Sequence, residues 1–325
     1  MLKRFIKLAA LAFTALAVGA VMPAEAQNFS RPVRIVVPYA PGGTSDILAR
    51  LIAPKLQAAI GQAVVVENKP GASGNLGADS VAKATKDGHT LLLLDVGTLA
   101  LSPSTFPDLT FDVEKDLAPV GLIMFAPYVL AVSPTLGVKS VPELIAYSKA
   151  NPGKLAVANS GVGGFNHVTP VRIAKALGVE WKNVPYRGGA AATRAVVAGE
   201  SVAIFNGATA TLPFVTNGQL VGLAVSGPER LKAAPTLPTF KEAGLEAGDA
   251  GTWQGLMATG GSPPALVGRL NAELKKILAE PEIAQKIGEQ GGTVKIGSPD
   301  EFKAWLAAAI KSWGAVVREN GIKGE

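Results

Sequence analysis

Apolar stretches of strand length alternate with helical patterns through most of this chain. One example is the apolar segment 33–37, which is followed by Ile47, Leu48, Leu51 and Ile52 at the spacing of one helix face. Strands that are apolar throughout are typical of parallel sheets covered by helices on both faces. The pattern therefore predicts an α/β protein with largely parallel sheets. The predicted strands are 33–37, 64–66, 90–94, 127–132, 155–158, 183–185, 202–205, 220–225 and 252–258.

Two places in this pattern predict crossings between two domains. A break at 118–121 precedes the strand at 127–132, and the strand at 252–258 brings the chain back from the middle region. We therefore expect one domain built from 27–127 and 252–325, and a second domain built from 128–251.

A long amphipathic helix closes the chain. Ser298 and Glu301 have the spacing of a capping box, and Phe302, Trp305 and Trp313 then fall on one apolar face. We interpret the tryptophans as packing residues, and we expect this helix to dock on the first domain.

Several predicted strands lead into a glycine-rich turn that precedes a helix. In the turn 38–46, Gly42 and Gly43 allow a tight bend, and Thr44 or Ser45 could cap the helix that follows. Backbone N–H groups at a helix N-terminus attract anions, so this turn is either an anion site or a plain strand–helix connection. Similar turns are predicted at 67–75, 95–98, 159–167 and 186–189.

The carboxyl ends of parallel strands meet at one edge of a sheet, where ligands bind. Two such edges facing each other across two crossings predict a hinged cleft that closes on a small molecule.

The first 26 residues have the features of a secretory signal peptide. Lys3, Arg4 and Lys7 precede an apolar run at 8–22, and small residues mark a cleavage site that ends at Ala26. The run is short for a membrane span, so we expect cleavage after Ala26 and a protein exported to the periplasm. The chain has no cysteine, which excludes a lipid-modified cysteine and disulfide bonds.

The charge distribution and the absence of known catalytic motifs reduce the number of possible functions. The net charge is +6, with basic residues spread along the chain, whereas nucleic-acid binders concentrate them on one face. The motifs HExxH, GxSxG and GxxxxGK[ST] are absent, and 161–166 lacks the last glycine of a dinucleotide-binding turn. A pair formed by Ser160 and His167 would need an orienting carboxylate. His167 is more simply a helix-start residue that hydrogen-bonds locally, and His89 is more simply a turn residue. We expect no catalytic residue, no metal, no cofactor and no nucleic acid.

The turns instead offer hydrogen-bonding groups of little formal charge. Arg187 is the single arginine in them, and it is either a ligand contact or a solvated loop residue. The polar side chains of the turns are Tyr39, Thr44, Ser45, Asn75, Thr98, Ser160, Asn166, Tyr186 and Asn206.

These turns also carry a family resemblance. The sequence resembles the Bug-type periplasmic solute-binding proteins of tripartite tricarboxylate transporters over nearly all of the chain after the signal peptide. Each motif alone is moderately specific, but their number and order make the match strong. The motifs lie at 38–46 (PYAPGGTSD), 66–75 (VENKPGASGN), 86–90, 115–120, 149–154, 163–167 (GGFNH), 184–189 (VPYRGG), 237–244 and 298–302.

The resemblance implies a two-domain periplasmic binding protein that closes like a Venus flytrap about a hinge of two strand crossovers. It implies a monomer that binds a small organic carboxylate and delivers it transiently to integral-membrane transporter subunits. Di- and tricarboxylates, acidic amino acids and aromatic acids all remain open as ligands. A sensor subunit for a membrane receptor and an enzyme acting on a carboxylate are the alternatives.

The resemblance also implies which residues hold the ligand. Main-chain groups, small polar side chains and bridging waters do much of the holding in this family. The first turn would serve one end of the ligand through Tyr39, Gly43, Thr44, Ser45 and Asp46. The second-domain turn would hold a carboxylate through Ser160, Gly163, Gly164, Asn166 and His167. Asn75, Thr98, Tyr186 and Asn206 complete the expected set.

Three departures from the family pattern bear on selectivity. His89 stands where the family often has tyrosine, and Val202 and Asn206 stand where it often has an acidic pair. Because Asn206 is an uncharged donor, we expect it to accept a more acidic or differently shaped ligand than an aspartate would. The turn 95–98 also differs from the small polar turn expected there.

Overall fold

The computed structural model describes residues 29–245 and 250–324, so the predicted signal peptide lies outside the described residues. Ten strands form two sheets that share one long strand. The strands are β1 (Val33–Val37), β2 (Val64–Asn68), β3 (Thr90–Asp95), β4 (Leu117–Val132), β5 (Leu155–Asn159), β6 (Trp181–Pro185), β7 (Ala203–Gly207), β8 (Val221–Val225), β9 (Gly251–Thr259) and β10 (Thr293–Val294).

The first sheet has the order β2-β1-β3-β9-β4, with β10 pairing with the N-terminal half of β4. Its pairs β1–β2 and β1–β3 are parallel, as the apolar strands predicted. The pairs that involve β9 and β4 are antiparallel.

The second sheet contains β7, β5 and β6 beside the C-terminal half of β4, with β8 also pairing with β4. The pairs β5–β6 and β5–β7 are parallel. The division of the chain into domains at 127 and 252 stays our prediction.

Strand β4 passes without interruption from one sheet to the other. The sequence predicted a break at 118–121, but the strand runs from Leu117 to Val132. Register shifts between Pro119 and Gly121, and again after Leu122, accommodate the irregularity within the strand. A bulge of this kind tolerates a proline that cannot donate to the ladder, so proline changed the local register without ending the strand.

Helices cover both faces of each sheet. Neighbouring strand residues point into different apolar clusters, with Ile35 and Leu93 on one face of the first sheet and Val36 and Leu94 on the other. The helices are α1 (Thr44–Ile60), α2 (Asn75–Ala82), α3 (Val96–Thr105), α4 (Val141–Ala150), α5 (Phe165–Leu177), α6 (Gly189–Val197), α7 (Ala208–Thr216), α8 (Pro264–Ala279), α9 (Pro281–Glu289) and α10 (Pro299–Glu319).

The C-terminal helix α10 contacts the cores of both sheets. Its capping box at Ser298 and Glu301 is present. Phe302 packs in a cluster of the first sheet, as predicted, but Val317 packs in a cluster of the second. The ring of Trp313 makes an edge contact with the ring of Phe165 in α5, and the two ring centroids are 4.3 Å apart. This contact confirms the packing role of Trp313.

Two local predictions about helix starts were wrong. Helix α1 runs through Pro54 to its C-cap Gly61. It begins at Thr44 with Gly43 as N-cap, so neither Thr44 nor Ser45 caps it. The segment 95–98 is not a loop, because Asp95 caps helix α3, which begins at Val96.

Candidate functional site

A small cavity lies where the two sheets face each other. Its volume is about 40 Å³, several times the roughly 10–15 Å³ that one water molecule needs. Both sheets contribute to it, so it occupies the predicted cleft. It is lined by Tyr39, Gly43, Thr44, Ser45, Asp95, Thr98, Tyr128, Ser160, Asn166, Gly189, Asn206, Thr252 and Gln254.

The N-terminus of α1 forms one wall of the cavity. Gly43 is its N-cap and, having no side chain, makes no side-chain cap hydrogen bond. The hydroxyl of Ser45 donates to Oε1 of Gln254 on β9 at 2.7 Å. The open N–H groups of this turn therefore provide a positive dipole end at the cavity.

Two further helices begin on the opposite wall, from the second sheet. Helix α5 has Gly164 as N-cap and α6 has Gly188, and neither has a side-chain cap. Ser160 donates through its hydroxyl to Oδ1 of Asn166 at 2.8 Å. A polar lining with open helix N-termini suits an anionic ligand.

Asn206 lies between these helices at the end of β7. Its side-chain amide donates to the Thr193 hydroxyl at 3.1 Å and more weakly to the Gly189 carbonyl at 3.4 Å. A Cβ atom on Gly189 would stand 2.6 Å from the Asn206 amide oxygen, so a larger residue at this position would displace the Asn206 amide.

Asp95 is the one formally charged side chain among the described residues that line the cavity. Its Oδ1 accepts from the backbone N–H of Gly97 at 3.0 Å and of Trp253 at 3.2 Å, and its Oδ2 accepts from the Thr98 hydroxyl at 3.3 Å. Burial raises the pKa of Asp95 to about 6, although these donors act in the opposite direction.

Two tyrosines stand near Asp95. Burial, together with the nearby Asp95 charge, raises the pKa of both Tyr39 and Tyr128, so both phenols are neutral. The Tyr39 hydroxyl is enclosed and has no partner of good hydrogen-bond geometry in the described part of the chain. It is therefore a polar group available to a ligand.

Hydrogen bonds between described residues join the two sides of the cleft directly. Ser73 donates through its hydroxyl to the Val162 carbonyl at 2.5 Å, and the N–H of Ala40 donates to the Arg187 carbonyl at 3.2 Å. The N–H of Phe165 donates to the Thr98 hydroxyl at 3.3 Å. The two sides are therefore in contact in this structure.

Eight of the predicted ligand-binding residues line the cavity. The structure brings together Tyr39, Gly43, Thr44, Ser45, Thr98, Ser160, Asn166 and Asn206. Their role as ligand contacts stays a prediction.

The other six predicted residues lie around the cavity without lining it. Asp46 is turned into the protein, where its carboxylate accepts from the Gly42 N–H and from the side chains of Arg50 and Asn68. These donors hold the pKa of Asp46 below its ordinary value, against the effect of burial. Asn75 lines a separate cavity beside Phe106.

The remaining four belong to the second-sheet turns. Tyr186 lines an adjoining cavity of about 270 Å³ that shares Tyr39 and Ser160. Gly163 donates through its N–H to Nδ1 of His167 at 3.0 Å. Burial lowers the pKa of His167, which keeps the ring neutral and able to accept. The helix-start role predicted for His167 is confirmed, and Gly164 is the N-cap of the same helix.

Five lining residues were not among the predicted set: Asp95, Tyr128, Gly189, Thr252 and Gln254. Asp95 and Gly189 lie in turns that the sequence did mark, at 95–98 and 186–189. The other three lie in β4 and β9, the strands predicted to connect the domains. These three residues could have been predicted from the crossing strands, because the strands that join two domains also line the cleft between them.

Within the described residues, no cluster of three or more His, Asp or Glu side chains could hold a metal ion. No helix of the described part has both the length and the apolar character needed to cross a membrane.

Comparison with known proteins decides the family. The sequence profile of the "Tripartite tricarboxylate transporter family receptor" family matches residues 48–322. The chain belongs to this family of periplasmic solute-binding proteins. Protein BugT of Bordetella pertussis is 34% identical over 307 residues, which cover 94% of each chain.

Solved structures agree with this family. The R. palustris protein Rpa4515 with adipate has a TM-score of 0.87 and 33% identity, over 90% of this chain and 98% of that protein. MatC from Rhodopseudomonas palustris with bound malate has a TM-score of 0.84 and 30% identity, over 89% and 99%. The predicted resemblance and the two-domain periplasmic binding protein fold are therefore confirmed for this family member.

Proposed function

We propose that this periplasmic solute-binding protein captures one small organic carboxylate in the cavity and delivers it to the membrane subunits of a tripartite tricarboxylate transporter. The observation that supports this proposal is that α1 and α6, on opposite sides of the cavity, begin there with glycine N-caps and no side-chain cap. Their free N–H groups and dipole ends suit ligand carboxylate oxygens from both sides.

The named ligands of two relatives support the same class. One relative was solved with adipate and another with malate, which are both dicarboxylates. In our proposal, one ligand carboxylate meets α1 and another polar end meets α5 and α6, so the ligand holds the two sides together.

Binding favours the closed arrangement because the ligand contacts both sides only when the cleft is closed. The membrane subunits would then distinguish the closed, loaded protein from the open one. We further propose that the protein acts as a monomer, that it returns its ligand chemically unchanged, and that export removes residues 1–26.

A thermal-shift screen against a library of small carboxylates tests the ligand class. A true ligand at about 100 times its dissociation constant stabilises the folded protein by roughly 2.7 kcal/mol. The library includes malate, adipate, acidic amino acids and aromatic acids, with sugars and simple amines as matched non-acids. If a sugar or an amine raises the melting temperature while no carboxylate does, the proposed ligand class is wrong.

Two further assays test whether the ligand is returned chemically unchanged and whether it is delivered to the transporter. Mass spectrometry of the ligand released from the protein should return the starting mass, and a product of different mass would indicate an enzyme. Uptake of labelled ligand into vesicles containing the membrane subunits should require this protein. Uptake that proceeds equally well without it would exclude the transport role.

A further inference from the structure

Asp95 introduces a negative charge into a cavity that otherwise suits anions. The carboxylate lies at the end of β3, in a residue that is only 9% exposed. It is fixed by donors from α3 and from β9 rather than directed to solvent. A carboxylate ligand that enters the cavity therefore approaches a second carboxylate.

No charge in the lining compensates Asp95. The titratable groups near it are the two neutral tyrosines, Tyr39 on the β1–α1 turn and Tyr128 on β4. The neighbouring lining residues of β9 and α3, which are Thr252, Gln254 and Thr98, are uncharged. Beyond Thr98, helix α5 brings His167, whose pKa is lowered and whose ring is neutral.

The donors that Asp95 receives are neutral backbone and hydroxyl groups. They satisfy a helix cap, but no cation of the described residues is among the groups bonded to this buried charge. Ionised carboxylates accept hydrogen bonds and donate none. A ligand group beside Asp95 is therefore favoured if it is a donor, and most strongly favoured if it is a cation.

We propose that Asp95 recognises an ammonium group of the ligand, and that the ligand is a short carboxylate bearing an amine, such as an amino acid. This inference rests on the proposed function and narrows its ligand class. The carboxylates of the ligand meet the open helix N-termini, and the amine meets Asp95. The small volume of the cavity favours a short carbon chain.

Matched acids that differ only at the second carbon test this assignment. Aspartate, malate and succinate carry an ammonium, a hydroxyl and a hydrogen there, and glutamate, 2-hydroxyglutarate and glutarate form a second set. Alanine, lactate and propionate form a third set with one carboxylate. Isothermal titration at pH 7.5 should find the amine member tightest in the set that binds, by about ten- to a hundredfold over the unsubstituted acid.

The variant Asp95→Asn removes the charge and keeps a good N-cap residue. It should abolish the preference by weakening the amine ligand and strengthening the unsubstituted acid. The exposed control Asp300→Asn removes the same charge at the first turn of α10 and should leave the preference unchanged. A merely structural role of Asp95 would change all three ligands of a set alike.

The pH dependence adds a second readout. As the pH falls from 7.5 to 5, protonation of Asp95 should weaken the amine ligand and strengthen the unsubstituted acid, so the two affinities change in opposite directions. Because dicarboxylate ligands also take up protons in this range, the effect of Asp95 is the part of each slope that is lost in Asp95→Asn, and the opposite signs for the amine ligand and the unsubstituted acid should be lost with it.

The outcomes separate this inference from the proposed function. If an unsubstituted or hydroxy acid binds tightest in wild type, or if Asp95→Asn preserves the preference, the ammonium assignment is wrong while carboxylate binding stands. If no acid of any set or of the wider library binds, carboxylate binding itself is wrong, and the assignment falls with it.

Discussion

Asp95 should also limit the stability of the unliganded protein at neutral pH. Its pKa is about 6 in the folded protein against an ordinary 3.8. Between these values the folded state holds more protons than the unfolded chain, so the free energy of unfolding rises as the pH falls from 7 towards 4. The cost of the buried charge is fully present above pH 6.

Asp95→Asn should therefore stabilise the unliganded protein at pH 7.5, by roughly 1–3 kcal/mol. The gain should shrink at pH 4.5, where wild-type Asp95 is largely protonated. Urea denaturation at the two pH values measures both differences. An equal or larger gain at pH 4.5 would contradict the burial of an ionised carboxylate.

Single residues were the hardest feature to predict from the sequence. The composition of the turns indicated eight lining residues, because small polar side chains beside glycine are visible in a sequence. The direction of a side chain is not visible. Asp46 and Asp95 both stand at a helix start, yet Asp46 turns towards Arg50 and Asn68 and Asp95 lines the cavity.

At the scale of elements, the proposed anion site at the N-terminus of α1 can be tested by placing a capping side chain there. Gly43 has φ −84° and ψ 171°, and a Cβ atom there would find its nearest neighbour at 3.8 Å. An aspartate therefore fits this position and would cap the helix with its own carboxylate.

Gly43→Asp should stabilise the unliganded protein by only about 0.2–0.4 kcal/mol and weaken carboxylate binding at least tenfold, because the new carboxylate occupies the site of the ligand. Thermal unfolding and isothermal titration measure the two effects. The control Gly268→Asp adds the same charge on the exposed face of α8 and should leave binding unchanged. Unaltered affinity in Gly43→Asp would exclude α1 as an anion site.

Elements were predicted better than residues, because apolar runs and turn residues act locally. The strand Val33–Val37 and the capping box at Ser298 and Glu301 agree with the sequence prediction. The prediction of a break in β4 was wrong for a non-local reason. Its partner β9 lies more than a hundred residues later and absorbs Pro119 through a register shift, which no local pattern reveals.

At the scale of the whole molecule, Ser73 connects the two sides of the cleft. Ala72 and Ser73 have positive φ angles of 46° and 54°, which non-glycine residues rarely adopt. This conformation places the Ser73 hydroxyl on the Val162 carbonyl and close to Gly161. We expect this contact to be lost when the cleft opens.

Ser73→Ala should therefore weaken ligand binding by roughly two- to tenfold through loss of one hydrogen bond of the closed state. The unliganded protein should keep its melting temperature within about 1 °C. Calorimetry measures the affinity, and small-angle scattering with and without ligand measures closure. Ser312→Ala, which loses a hydrogen bond within α10, is the control, and an equal loss of affinity in both variants would exclude a role in closure.

The pairing of β9 has a consequence for the order in which the chain assembles. Strand β9 lies between β3 and β4 in the first sheet, yet it follows the whole of β5 to β8 in sequence. As the chain emerges from its N-terminus, β3 and β4 lack their shared neighbour until residues 251–259 arrive. The second sheet has all its strands before then. We therefore expect the second sheet to form first. The first sheet should form last, because its slow step is the long-range pairing of β9 with β3 and β4.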